Sequence, residues 1–305
     1  MLYGPDYWTI YSIEYIQKVR KGDGKCILCV MCADISRCMT REVISCFLPI
    51  MSGKRWKNWR SMRNLRLDIC YDGTRYRGWQ RLAGEDNTIQ GRIEQTLSRI
   101  LNEAVEISGS GRTDAGAHAV HQIANFRCNS KMDCGQILSQ LRKYLPEDIG
   151  IYSCQEAADR FHARLNAKSK TYRYRVWNSD EPCVFDRRFV YAVPESLDLQ
   201  AMRIAANYYL GEHDFSAFCA NKNFKKSTVR RIDSFEIEKT GGEIRFTVRG
   251  NGFLYNMVRI MVGTLLEVGM GKRNSDEIPL LFGQKRETAG FLVPAQGLCL
   301  LEVEY

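Results

Sequence analysis

A glycine-rich stretch near the middle of the chain carries one carboxylate and one guanidinium and no large apolar side chain. Residues 109–119 read GSGRTDAGAHA and place Arg112 two residues before Asp114. Glycine permits backbone angles and close approaches that other residues resist. The stretch therefore predicts a tight loop that presents Asp114 to a substrate close to the main chain. A carboxylate can act as a nucleophile without a cofactor. The alternative is an ordinary turn with a surface Arg–Asp pair.

Two further strings place a reactive or binding side chain in an apolar setting. Tyr172 lies in the strand-like string KTYRY (170–174), and Arg259 interrupts the apolar string GFLYNMVRIMVG (252–263). An aromatic face can stack on a base extruded from a nucleic acid, although a lone tyrosine of this kind is also a common core residue. A buried guanidinium needs a partner, because an unpaired buried charge is very costly. The alternative for Arg259 is a side chain that reaches the surface.

Basic residues point to a polyanionic partner. The formal net charge is +9, from 44 basic and 35 acidic residues, which is weak support on its own. Two local clusters add to it. They consist of Arg75, Arg77 and Arg81 interleaved with Tyr76 and Trp79, and of Lys222, Lys225, Lys226, Arg230 and Arg231. Basic and aromatic residues together suit an RNA backbone and its bases. Each cluster alone is equally compatible with a solvated surface.

The elements that must position these residues repeat one order twice. Leu65, Leu67, Ile69 and Tyr71 alternate with polar residues, which is typical of a half-buried strand. Three helices are predicted to begin after the capping residues Thr88, Asp133 and Asp198, and the helix capped by Asp198 is predicted to end at Leu210. A fourth helix is predicted over Phe253–Val268. A short strand, Val105–Ser108, is predicted to enter the glycine-rich loop. The order β-α-β-β-α-β then recurs. We predict an α+β fold of two ferredoxin-like halves, 62–166 and 167–305. They form one mixed, largely antiparallel sheet with helices on one face and an active-site cleft between them.

Residues 1–61 share no pattern with the rest of the chain. Cys26, Cys29, Cys32 and Cys38 form C-x2-C-x2-C-x5-C, for which a zinc or iron–sulfur site is the alternative interpretation. We expect a poorly ordered extension, or a segment that is not translated because Met62 is the start. The four histidines have no metal-ligand spacing and are interpreted as structural. We expect no metal and no cofactor.

The twelve cysteines bear on the compartment. The first 20 residues lack the basic start and apolar run of a secretory signal, and no apolar run approaches the roughly 20 residues that span a bilayer. The cysteines are therefore interpreted as reduced thiols of a cytoplasmic protein, with no membrane partner.

Several of these strings together resemble one family. The string GRTDAGAHA (111–119) is similar to the signature of the tRNA pseudouridine synthase I (TruA) family. The strings at 71–80, 161–164, 170–174 and 252–263 resemble further family motifs, so the resemblance covers roughly residues 64–305. It departs at Val293-Pro294, where the family usually has Ala-Pro, and we expect the bulk of Val293 to change the pocket wall.

The resemblance implies an enzyme that isomerises uridine to pseudouridine at positions 38, 39 and 40 of the tRNA anticodon stem-loop. It implies that Asp114 is the catalytic nucleophile, that Tyr172 lies against the uracil ring and that Arg259 pairs with Asp114. Arg112 would help extrude the target nucleotide. It also implies a homodimer with tRNA across both subunits. The alternatives are a non-catalytic tRNA-binding chaperone and a metal-linked interaction protein that uses the cysteines before residue 47.

Overall fold

Ten strands form a single sheet that brings both ends of the described chain together. The computed structural model describes residues 62–82, 84, 87–221 and 226–305, which belong to one compact unit. The strand order is β4-β1-β3-β10-β5-β9-β8-β7, with β2 beside β3 and β6 beside β5. The strands are β1 Arg63–Tyr71, β2 Ile107–Gly109, β3 His118–Cys128, β4 Ile149–Glu156, β5 Ser169–Trp177, β6 Tyr191–Ala192, β7 Gly211–Asp214, β8 Val229–Thr240, β9 Glu243–Gly250 and β10 Leu298–Glu304.

Within the described residues, four α-helices accompany the sheet. They are α1 Ile89–Leu101, α2 Cys134–Tyr144, α3 Leu199–Asn207 and α4 Met257–Gly269. The side chains of Thr88, Asp133 and Asp198 accept hydrogen bonds from backbone N–H groups in the first turns of α1, α2 and α3. Each bond satisfies a donor that the start of a helix leaves open. The three predicted caps are confirmed.

The last strand joins the early and late parts of the chain. β10 pairs in parallel with the start of β3, where Cys299 lies opposite His118. Its other edge pairs antiparallel with β5, where Leu300 lies opposite Tyr172. All other described pairings are antiparallel except that of β5 with β6. The predicted mixed, largely antiparallel α+β sheet is confirmed. The end of the glycine-rich loop thereby lies one strand away from Tyr172.

Alternation along the strands determines which side chains enter the core. In β1 the residues of the predicted apolar face are buried, while the polar residues between them are half-buried. In β5 Tyr172, Tyr174 and Val176 are buried, and the arginines between them are half-exposed. Because successive side chains of a strand point to opposite faces, one strand serves two different environments.

Some predicted boundaries are wrong. The apolar helix begins at Met257 rather than Phe253, because Asn256 adopts a left-handed backbone with φ of 61°. The helix capped by Asp198 ends at Asn207, and Gly211–Asp214 forms the additional strand β7. The strand that enters the loop is Ile107–Gly109.

The predictions for residues 1–61, and those for Lys222 and Lys225, lie outside the described residues. Within the described part, no helix combines the length and apolarity needed to cross a membrane. The division into halves at 166/167 stays a prediction.

Candidate active site

The glycine-rich loop connects β2 to β3, and hydrogen bonds hold it in place just before Asp114. The Ser110 amide donates to the Ile123 carbonyl at 2.7 Å. Thr113 is buried, its hydroxyl lies 2.8 Å from the Tyr71 hydroxyl, and its carbonyl accepts a hydrogen bond from the Trp79 amide. These contacts fix the backbone immediately before Asp114, which is itself only partly buried.

The segment 71–80 supports this loop. A Cβ at Gly73 would collide with the carbonyl oxygen of Ala117. Gly78 has φ of +94°, and a Cβ there would lie 2.8 Å from the Thr113 carbonyl oxygen. The two backbones approach this closely only because both positions are glycine.

The aromatic residues of this segment are not available to RNA. Tyr76 and Trp79 are 6% and 3% exposed, so the interpretation that the aromatic members of this cluster suit RNA bases is wrong. Arg75 pairs with Asp148 at 2.5 Å, and Arg81 contacts Glu94 at 3.3 Å. Residues 71–80 therefore pack against the glycine-rich loop and support its backbone.

Asp114 and Arg259 form a partly buried ion pair. The distance from Arg259 Nη1 to Asp114 Oδ2 is 2.9 Å, and the side chains are 12% and 17% exposed. The contact predicted from the resemblance is therefore present. The other carboxylate oxygen, Oδ1, accepts no hydrogen bond from the residues that the structure describes. Arg259 therefore fixes one oxygen of the carboxylate and leaves the other without a partner among the described residues.

Two residues that the sequence interpretation missed hold Arg259 in place. Its Nε donates to the Val293 carbonyl at 2.8 Å, and Nη1 also donates to Asn256 Oδ1 at 2.9 Å. Asn256 lies three residues before Arg259, a spacing that brings side chains together at the start of a helix. The side chain of Val293 is fully buried and faces Gly263, so the family departure there lies in the core while its carbonyl serves the site.

Tyr172 lies on the buried face of β5. It is 7% exposed, and its ring packs edge-on against Phe253 with centroids 5.1 Å apart. Burial, and then the nearby charge of Asp114, raise the pKa of Tyr172 far above its ordinary value. The phenol is therefore neutral at physiological pH.

Arg112 and His118 lie in different environments. Arg112 is exposed at the outer side of the loop and pairs with no carboxylate in the described ranges. His118 is buried, accepts a hydrogen bond from the Gly73 amide, and lies 3.1 Å from the carbonyl oxygens of Arg188 and Gln296. Burial lowers the pKa of His118. Although Asp72 lies 3.2 Å away, these contacts fit a neutral, structural imidazole.

Lys170 was missed by the sequence interpretation. Its Nζ donates to the Ser110 carbonyl at 2.7 Å. Burial, and then the neighbouring charge of Arg164, lower the pKa of Lys170 to about 8. A signal was available, because Lys170 shares the parity of Tyr172 and Tyr174 on an otherwise buried strand face. The surroundings of the glycine-rich loop therefore combine an oriented carboxylate, a neutral phenol and several cations.

Known proteins match the chain over this whole region. A family model described as tRNA pseudouridine synthase matches residues 69–166 and 205–305, which include Arg112, Asp114 and Arg259. The tRNA pseudouridine synthase A 2 of Bacillus cereus is 44% identical over 245 residues, covering 80% of this chain and 100% of that protein. With the same coverage, the tRNA pseudouridine synthase A of Acetivibrio thermocellus is 45% identical, and the tRNA pseudouridine synthase A 2 of Clostridium perfringens is 44% identical.

Proposed function

This chain belongs to the tRNA pseudouridine synthase family, and we propose that it isomerises uridine to pseudouridine at positions 38, 39 and 40 of the anticodon stem-loop. The observation that carries the proposal is the state of Asp114. Arg259 fixes one carboxylate oxygen, and no described residue bonds the other. An acidic side chain held this way at the mouth of a cleft is suited to react with a sugar or a base.

The proposed reaction rearranges one nucleotide. The N1–C1′ bond breaks, the uracil turns, a C5–C1′ bond forms, and the C5 proton is replaced by one on N1. Atoms and electrons balance without an external reagent. Asp114 acts by attack on C1′, by attack on uracil C6, or by removal of the 2′ proton. Each route uses one carboxylate oxygen and is compatible with Oδ1.

Tyr172 holds the uracil ring while it turns. Its phenol is neutral because burial raises its pKa. Tyr172 can therefore take the C5 proton only if its own proton is transferred in the same step. The edge contact with Phe253 fixes the plane of the Tyr172 ring.

Arg112 helps to open the RNA. The target bond lies inside a stacked helix, so the nucleotide must leave the stack, at a cost of a few kcal/mol. Arg112 is exposed on the same loop, two residues from Asp114. Its guanidinium is available to occupy the space that the extruded base leaves.

The deciding experiment compares two Asp→Asn variants on unmodified tRNA. Asp114→Asn keeps the shape of the side chain but removes the charge, so we expect pseudouridine formation to fall by at least about 10⁴-fold while tRNA binding is retained. Asp198→Asn is the matched control, because asparagine caps a helix as well as aspartate, and should leave activity intact. Equal loss of binding and activity in Asp114→Asn would recast Asp114 as structural. Mapping pseudouridine by position tests the assignment to 38, 39 and 40.

The proposal extends to assembly and location. We infer a cytoplasmic homodimer with tRNA lying across both subunits, as the family resemblance implies. The mass of the protein in solution, alone and with tRNA, tests this. A monomer that binds and modifies tRNA would contradict it.

A further inference from the structure

Lys170 lies at the same loop as Asp114 but pairs with no carboxylate. Its Nζ donates to the Ser110 carbonyl and lies beside Gly111, a point that the Tyr172 hydroxyl also approaches. An ammonium group has three donors, and within the described ranges only this one has an acceptor. The neighbouring charge that most affects the pKa of Lys170 is that of another cation, Arg164. The loop side of the cleft therefore holds a half-buried positive charge with two donors to spare.

Such an arrangement is unfavourable in the free protein. Burial disfavours an ammonium that no anion neutralises, and it lowers the pKa of Lys170 to about 8. Arg112 and Arg164 are exposed nearby, again without a carboxylate partner among the described residues. An anion entering this side of the cleft would remove the penalty and meet several cations at once.

The substrate class brings that anion. Every ribose in an RNA chain is flanked by two phosphodiesters, so a nucleotide whose C1′ reaches Asp114 carries phosphates into the same cleft. The charge of Arg259 is already balanced by Asp114, so Arg259 is the weaker candidate for these phosphates. Resting on the proposed function, we propose that Lys170 binds a phosphodiester flanking the extruded uridine and so positions the nucleotide against Asp114 and Tyr172.

The first test measures how binding depends on salt. Unmodified tRNA is titrated against the full chain carrying Asp114→Asn, with and without Lys170→Met, at several salt concentrations. We expect about tenfold weaker binding in Lys170→Met and a log–log salt slope shallower by about 0.7–0.9, the value of one phosphate contact. Lys239→Met removes the same charge at an exposed lysine that bonds Asn178, and should leave the slope unchanged. Equal slopes in all three proteins, or equal changes in both lysine variants, would overturn the inference.

The second test uses pH. The titratable groups beside Lys170 are Arg164 and Tyr172, and burial raises the pKa of Tyr172. Lys170 is therefore the group among them that loses its proton near pH 8. A bound phosphate favours its charged form, so affinity should be full below pH 8 and fall as the pH rises to 9.5. Lys170→Arg keeps its charge there and should bind with a flat profile. A decline of equal size in Lys170→Arg would contradict the proposal.

The third test locates the phosphate. Anticodon stem-loops are made with a neutral methylphosphonate at the linkage on either side of the target uridine. If Lys170 contacts one linkage, Lys170→Met should have little further effect on that RNA but its full effect on the other. A full effect on both would mean that Lys170 acts only by holding Ser110. Because these are binding measurements, a failure to form pseudouridine would refute the proposed function while leaving the Lys170 result readable.

Discussion

Arg259 and Lys170 are two cations beside the same loop, and they differ in what surrounds them. Arg259 is held by a carboxylate, an amide oxygen and a carbonyl oxygen. Lys170 has one carbonyl oxygen and no carboxylate within the described ranges. A cation whose charge is balanced by a carboxylate organises the protein itself, whereas one without a carboxylate partner is available to an anionic ligand. We infer that this difference separates the cation that orients Asp114 from the cation proposed to bind the RNA backbone.

Removing Arg259, the cation that is paired with a carboxylate, should have the largest effect on activity. In Arg259→Met the Asp114 carboxylate loses its fixed partner, so we expect kcat for pseudouridine formation to fall on the order of 100-fold or more, because small displacements of a reacting group are costly. Arg259→Lys keeps the charge but not the planar fork that meets three acceptors, so it should recover only part of the activity. The measurement is single-turnover product formation at saturating tRNA.

A control isolates the Asp114 contact from a general loss of ion pairing. Arg273 lies shortly after α4 and pairs with Glu267 at 3.1 Å, away from Asp114. Arg273→Met should lower stability without changing kcat more than about twofold. If Arg259→Met retained kcat within that same range, the organising role of Arg259 would be wrong.

An intermediate effect on kcat is expected for changes in the segment 71–80, which packs against the glycine-rich loop. A Cβ at Gly78 would lie 2.8 Å from the Thr113 carbonyl oxygen, so Gly78→Ala should move the loop and lower kcat about 10- to 100-fold. Gly271 also has a positive φ, of +69°, but nothing lies within 4 Å of its Cβ position. Both alanines incur about 1–2 kcal/mol of backbone strain, measurable by urea unfolding. Equal kcat values in the two variants would mean that the segment 71–80 does not position Asp114.

The sequence predicted the features that local chemistry determines. The burial of Leu65, Leu67 and Ile69 follows from alternation alone, and the caps at Thr88 and Asp133 follow from side chains that compete for nearby backbone donors. The juxtaposition of Asp114 and Arg259 came from the family resemblance. No local pattern links residues 145 positions apart, and their roles stay predictions.

The sequence failed where tertiary contacts override local pattern. The apolar run after Gly252 indicated a helix from Phe253, but Asn256 adopts a left-handed backbone, and its side chain bonds Arg259. Trp79 resembled an RNA-stacking residue because its neighbours are basic, yet it packs beneath Gly109. Lys170 was missed although its parity in β5 matches that of Tyr172, and only the folded structure shows that no carboxylate of the described chain reaches it.

The smallest effect on activity is expected on the opposite face of β5. Arg175 donates two hydrogen bonds to the Glu243 carboxylate, at 2.8 and 2.9 Å, and Arg245 donates a third. These bonds, that of Arg175 first, lower the pKa of Glu243 from 4.5 to about 2. Like Arg259, Arg175 is a cation whose charge is balanced by a carboxylate. Because successive side chains of a strand point to opposite faces, Arg175 lies on the face of β5 opposite to Tyr172. We therefore expect Glu243→Gln to lower the free energy of unfolding at pH 7 by about 1–3 kcal/mol and to leave kcat unchanged.

The stability difference between wild type and Glu243→Gln should depend on pH. Because folding lowers the pKa of Glu243, its stabilisation is complete above pH 4.5 and is lost as the pH falls toward 2. The difference in unfolding free energy between wild type and Glu243→Gln should shrink over that interval, as measured by urea unfolding at each pH. A constant difference would show that lost packing, rather than lost charge, destabilises the variant. A tenfold loss of kcat at pH 7 would show that the two faces of β5 are coupled, and the separation between structural and RNA-facing cations would fail.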